Sequence, residues 1–210
     1  MLKFLYKNAS QMKFGIRIFG VICSCFLILG WFLRYQTLNN YFSSSFSCPR
    51  IDYKIGETVD LGSNIISSNA APGYSITVLN SEIIAYEDFI NTLAKGDSPT
   101  INNPPDYVMD ITIRLYNTNS TAPGVFFPDF LLHSYDMYTD PNLELLSLAN
   151  PILENGSYGL SLKDETYYIV HLIYNLRQEH LSPYAYQHLE DHPFFLRLTT
   201  YPTRQEVRLQ

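Results

Sequence analysis

Between Tyr107 and Asn117, apolar Tyr107, Met109, Ile111, Ile113 and Leu115 alternate with Val108, Asp110, Thr112, Arg114 and Tyr116. A period of two places these sets on opposite faces of an extended chain, so the pattern predicts a half-buried strand. The same alternation recurs at Tyr74, Ile76 and Val78, and at Phe194, Leu196 and Leu198. Thr166 to Tyr174 is apolar on both faces and rich in β-branched and aromatic residues, the composition of a strand central to a packed sandwich. Shorter strands are predicted at Tyr158 to Leu162 and Glu206 to Leu209. Turn-forming clusters separate the segments: Ala71-Pro72-Gly73, Asn117 to Gly124, Asp140-Pro141-Asn142 and Asn155-Gly156. One helix interrupts them. In Tyr86 to Lys95 the residues Tyr86, Phe89, Ile90 and Leu93 share a face, with Glu87 and Asp88 at the electropositive end and Lys95-Gly96 closing it. It is expected to cap one end of the sandwich. The diproline in Asp97 to Asp106 rules out a ladder strand there.

Ahead of this β-rich region stands a different pattern. From Phe14 to Leu33 the chain is almost wholly apolar, with Arg17 its one charge. A helix of about 20 residues rises roughly 30 Å, enough to cross a bilayer core. Trp31 and Tyr35 lie near its far end, where amphipathic rings favour the interface. Lys3, Lys7, Lys13 and Arg17 outnumber Arg34, which predicts a cytoplasmic N-terminus and an exported C-terminal domain. No small-x-small cleavage pattern follows, so a retained signal anchor is expected. Ile22-Cys23-Ser24-Cys25 only faintly matches a lipidation box. The expected organisation is a cytoplasmic tail at 1–13, an anchor at 14–34, a polar, Ser-rich stalk at 35–50 and one domain at 51–210.

Charge sharpens the picture. Beyond Arg34 the chain carries nine basic and 20 acidic residues, a balance of −11 that disfavours nucleic acid as a partner. Cys23 and Cys25 fall within the anchor, leaving Cys48 alone beyond it; that excludes an internal disulfide and leaves an idle thiol or a bridge between chains. No C-x-x-C zinc spacing occurs.

The phrases YKIGETVDLG (Tyr53 to Gly62), GYSITVLNSEIIAYEDF (Gly73 to Phe89), YVMDITIRLYNT (Tyr107 to Thr118), ELLSLANPIL (Glu144 to Leu153) and FFLRLTTYPTRQEVRL (Phe194 to Leu209) resemble a family of uncharacterised Firmicute proteins. Its members combine a short cytoplasmic tail, one transmembrane or signal segment and an extracellular domain of unknown function. The resemblance covers most of 51–209 and the anchor layout. The chain is also distantly similar to immunoglobulin-like domains of Gram-positive lipoproteins. Together these imply an immunoglobulin-like β-sandwich and carry over no functional residue.

Candidate chemistry is sparse. Gly156-Ser157-Tyr158-Gly159 lacks the nucleophile-elbow pattern and reads as a turn feeding a strand. His180, His188 and His192 form the one potential metal cluster, although the H-E-x-x-H spacing fails and Pro193 follows directly. Asp136, Asp140, Asn142 and Glu144 are oxygen donors on what reads as an ordinary turn. His171 is expected to meet a hydrogen-bond partner, and Tyr107, Tyr158, Tyr168 and Tyr174 to face the core or sheet. Glu87-Asp88 and Glu190-Asp191 are sequence neighbours that need not share a cleft. Tyr135, Tyr138, Tyr184 and Tyr186 are the candidate contact tyrosines, because exposed aromatic patches mark interaction sites. The expectation is a non-enzymatic envelope module without a cofactor that binds a protein or peptide. A metal-dependent enzyme or sensor and a self-associating assembly subunit are the alternatives.

Overall fold

A computed structural model describes residues 23–36, 48–67, 69–92, 103–118 and 124–209, with backbone alone at 154–156. The chain divides into two compact units, Met1–Ser47 and Cys48–Gln210. In the first, residues 23–36 form helix α1, which exposes Phe26, Leu27, Ile28 and Trp31. Trp31 stacks on Tyr35 at 5.5 Å. The predicted tail at 1–13, the first part of the predicted anchor (14–22) and most of the predicted stalk (37–47) lie outside the described residues. Among the described residues, no helix is long and apolar enough to cross a membrane.

The second unit is mainly β, with several sheets and a few short helices. Its strands are β1 (Arg50–Lys54), β2 (Thr58–Asp60), β3 (Tyr74–Ala85), β4 (Tyr107–Asn117), β5 (Val125–Phe126), β6 (Leu131–His133), β7 (Tyr138–Thr139), β8 (Gly159–Leu160), β9 (Tyr167–Leu176), β10 (Phe195–Arg197) and β11 (Arg204–Arg208). Helices α2 (Tyr86–Thr92), α3 (Leu143–Ala149) and α4 (Pro183–Gln187) connect them. One sheet runs β2-β3-β4-β9, all antiparallel; the other runs β1-β11-β10-β6-β7, with β1 and β11 parallel; β5 and β8 form a small ribbon.

One apolar core takes side chains from both large sheets. Met109, Ile111, Ile113 and Leu115 of β4 meet Val170, Leu172, Tyr174 and Leu176 of β9 on one wall, and Leu132, Leu196 and Val207 supply the other. Each such buried side chain contributes roughly 1.5–3 kcal/mol. On β3 a bulge between Val78 and Asn80 shifts the register, so the core side passes from Tyr74, Ile76 and Val78 to Ile83.

Three sequence expectations change. The outer face of β4 is dry over its first half, where Val108 and Asp110 are buried, and wet further on, where Arg114 is exposed. Val108 and Ile173 join Phe89, Ile90 and Leu145 in a second cluster, so α2 and α3 cover the outer face of the four-stranded sheet and α2 does not cap an end. Finally, β9 is an edge strand, apolar on both faces because a helix layer covers its outer side. Its open edge is closed by two asparagines flanking α3. Asn142 N donates to Ile173 O (2.7 Å), Asn150 Nδ2 donates to His171 O (2.7 Å), and Asn150 Oδ1 accepts from His171 N (2.9 Å). Asn142 also caps α3, its side chain accepting from Leu145 N at 3.1 Å.

Candidate functional site

Where β3 ends and β4 begins, α2 and α4 leave two hollows of about 550 and 270 Å³, and Tyr107 and Tyr186 line both. The diproline Pro104-Pro105 and Tyr86 wall the larger one; Ile83 and His188 wall the smaller. Carboxylates rim them: Glu87, Asp88 and Asp106 at the first, Glu190 and Asp191 at the second. Among the described residues, no lysine or arginine lines either hollow. The result is an aromatic groove rimmed by carboxylates, with Arg177 lining the neighbouring hollow beyond Asp106.

The groove is fixed from beneath. The Tyr186 hydroxyl donates to Asp106 Oδ2 at 2.5 Å, and the Tyr186 ring meets Tyr107 edge-on at 6.2 Å. Burial, followed by the Asp106 hydrogen bond and charge, pushes the Tyr186 phenol up to about 12. Burial and then the charge of Glu144 raise Tyr86. Tyr107, expected on the sheet or in the core, is the first residue of β4 and opens 39% of its surface at the groove. Of the other three tyrosines in that expectation, Tyr174 is fully buried, and Tyr158 and Tyr168 pack partly buried against the core.

The four candidate contact tyrosines fall into two places. Tyr186 is half-buried and lines the groove; Tyr184, 73% exposed, stacks at 4.4 Å on His188, a groove residue. Tyr135 and Tyr138 are exposed at the other sheet. Glu87-Asp88 and Glu190-Asp191, left unconnected by the sequence, border adjoining hollows.

The three histidines do not converge. His180 sits 3.8 Å from Glu179, His188 donates through Nδ1 to Tyr184 O at 2.9 Å, and His192 meets the Phe194 ring edge-on at 5.1 Å. Among the described residues, no group of three or more His, Cys, Asp or Glu stands where it could hold a metal ion. Of the acidic turn, Asn142 is committed to α3. Asp136 is held below the usual carboxylate range, chiefly by a side-chain hydrogen bond from Ser182.

A second polar assembly lies on the outer face of the five-stranded sheet. There Glu206 is completely buried between His133 Nε2 (2.8 Å), Arg50 Nε (3.0 Å) and Arg204 Nε. Because an ionised carboxylate only accepts, Nε2 of His133 carries the proton. Burial alone raises the Glu206 carboxyl, but the bonds and charges of His133 and Arg204 outweigh it and hold the group at about 2. His133 lies between Tyr138 and Phe195, 5.2 and 5.4 Å away; Arg50 covers Phe195 and Arg197 covers Tyr138.

On the outer face of the other sheet, His171 Nδ1 donates to Asp110, 3.0 and 2.9 Å from its two oxygens. That bond raises the His171 pKa against the opposing effect of burial, with the charges of Asp110 and Glu82 adding to it. A raised value stabilises the fold fully below the unfolded value near 6.5 and loses that contribution as pH climbs through the folded value. NMR titration of the His171 ring is expected to give a midpoint above 6.5, and Asp110→Asn to bring it down. An unchanged midpoint in the variant would remove Asp110 as the cause.

A mainly β domain of several sheets, with a tyrosine-lined acidic groove and a cation-rich sheet face, is thus the class of protein that the chain encodes. The chain belongs to the family described as Domain of unknown function (DUF5028), which matches residues 50–205 and so begins at the first residue of β1. No curated protein and no solved structure matches the chain.

Proposed function

We propose that this chain is a single-pass, membrane-anchored module of a Gram-positive cell envelope, non-enzymatic, whose extracellular domain holds a basic segment of a protein or peptide in the tyrosine groove. The observation that carries the reading is the groove itself: two adjoining hollows with aromatic and proline walls, five rim carboxylates and no lining cation among the described residues. Tyrosine faces attract arginine and lysine, and the carboxylates add charge-assisted hydrogen bonds. The anchor reading is supported by the exposed apolar side chains of α1 and by the four basic residues at positions 3, 7, 13 and 17. An immunoglobulin-like sandwich is supported by the division of strands. β3, β4 and β9 stand in one sheet, β6, β7, β10 and β11 in the other, and one core lies between them.

The test uses residues 48–210, a compact unit with its own core. An arginine-rich peptide is expected to bind, its glutamate-substituted counterpart to fail, and added salt to weaken binding. Glu87→Lys together with Glu190→Lys is expected to weaken binding about tenfold or more. Equal behaviour of the two peptides, or binding unaffected by the variants, rejects the groove as the site.

A further inference from the structure

Nine basic residues follow Arg34 in the sequence, and five of them share one sheet face. The register aligns Arg50 with Arg204 and Lys54 with Arg208 across β1 and β11, and Arg197 with Glu206 across β10 and β11. Partners directly opposite in a ladder project to the same side. The core-facing residues of these strands are Leu196 and Val207, so the five cations stand on the outer side, with Asp52 and the buried Glu206 the carboxylates among them. A domain carrying an excess of eleven negative charges therefore concentrates more than half its cations on one outward face, interleaved with the rings of Phe195 and Tyr138. Lys54 and Arg208 are exposed at the end of that face, where the Lys54 backbone N–H donates to Glu57 Oε2 at 2.8 Å.

Glu206 neutralises only part of this charge, and its ion pairs with Arg50 and Arg204 hold those guanidiniums in place. The face is small: five strands at about 4.8 Å spacing span about 19 Å between the outermost strand axes. An extended polyanion overrunning it meets the acidic remainder of the domain. A compact carboxylate cluster does not, and the same molecule carries one at its tyrosine groove.

We propose that the basic face of the five-stranded sheet docks into the tyrosine groove of a second copy of this chain, joining copies head to tail. This rests on the groove being a binding site for a basic segment and names its occupant. Two different surfaces meet, so the contact is heterologous and leaves a groove and a basic face unused at the two ends of each pair. Copies confined to one membrane meet at a high effective concentration, which favours a contact weak in solution.

The experiment is crosslinking of the full chain reconstituted in vesicles of neutral lipid, comparing three proteins. Wild type is expected to give crosslinked species that diminish as salt is raised. A face-reversed variant (Lys54→Glu with Arg208→Glu) and a groove-reversed variant (Glu87→Lys with Glu190→Lys) are each expected to lose crosslinking by about tenfold or more. Mixed together they are expected to recover it, because the intact basic face of the groove-reversed protein then meets the intact acidic groove of the face-reversed one. Recovery cannot arise from misfolding of either variant or from contacts between anchors. Wild type that stays uncrosslinked, variants that crosslink like wild type, or a mixture that does not recover overturns the proposal. If wild type stays uncrosslinked while the arginine-rich peptide still binds the groove, the self-docking falls and the module reading stands.

Discussion

Replacing Glu206 with glutamine is expected to lower stability by about 2–3 kcal/mol at neutral pH, a fall in melting temperature of roughly 5–10 °C. The carboxyl is fully buried, and its pKa falls from 4.5 to about 2 in the fold. A depressed value contributes stability that is complete above the unfolded pKa and is lost as pH falls through the folded one. Wild type should therefore lose stability as pH drops from about 4.5 towards 2, and the variant should lack that part of the slope. The substitution also leaves Arg50, Arg204 and His133 around a neutral amide, so a polar cluster with one member changed is costlier than its removal as a whole. Urea melts of both proteins at pH 7 and at pH 3 provide the measurement. Equal stability at pH 7, or parallel pH profiles, would show that Glu206 is not the electrostatic keystone of the five-stranded sheet.

The second large effect is expected at Asn150. Its side chain serves the backbone N–H and C=O of His171 and also donates to Leu146 O at 2.7 Å. Asn150→Ala strips both backbone groups of their partner on an edge strand beneath a helix. Leaving a buried polar group unmet costs about 1–3 kcal/mol, so a total of about 3 kcal/mol is expected. The same change uncovers the edge of a ten-residue strand, a template for pairing with another chain. The variant is expected to melt lower and to aggregate on heating while a core variant of equal destabilisation stays soluble. A variant that melts lower yet remains as soluble as that control would confine Asn150 to a local role.

These residues show what a sequence reveals and what it withholds. The alternation in β4 was legible because Met109, Ile111, Ile113 and Leu115 obey a two-residue period set by the strand itself. The cover over the first half of its outer face is not legible there, because Val108 is covered by residues far away in the chain, Phe89 and Leu145, which no local period can report. Likewise β9 is apolar on both sides for a reason that lies in α3, a helix announced only by Asn142 as its cap and by Leu145, Leu146 and Ala149 at helical spacing. The tyrosine groove joins Glu87 to Glu190 across about a hundred residues, so its acids looked like two unrelated pairs. Tyr186 is legible as a contact residue from its loop position, whereas the place of Tyr107 in an alternating strand points to the sheet and conceals its share in the groove.

The order of strands in the five-stranded sheet governs how the domain is made. The last of the described strands, β11, lies inside that sheet, between β10 and the first of them, β1. As the polypeptide emerges, β1 has nowhere to pair until Arg204 to Arg208 arrive, because its ladder is with those residues. Closure therefore waits for β11, and a chain delivered only as far as β10 holds an open sheet with Glu206 not yet seated. A nonsense change at Arg204 is therefore costly: β1 loses its partner, β10 loses a neighbour, and the arginine cage loses its carboxylate.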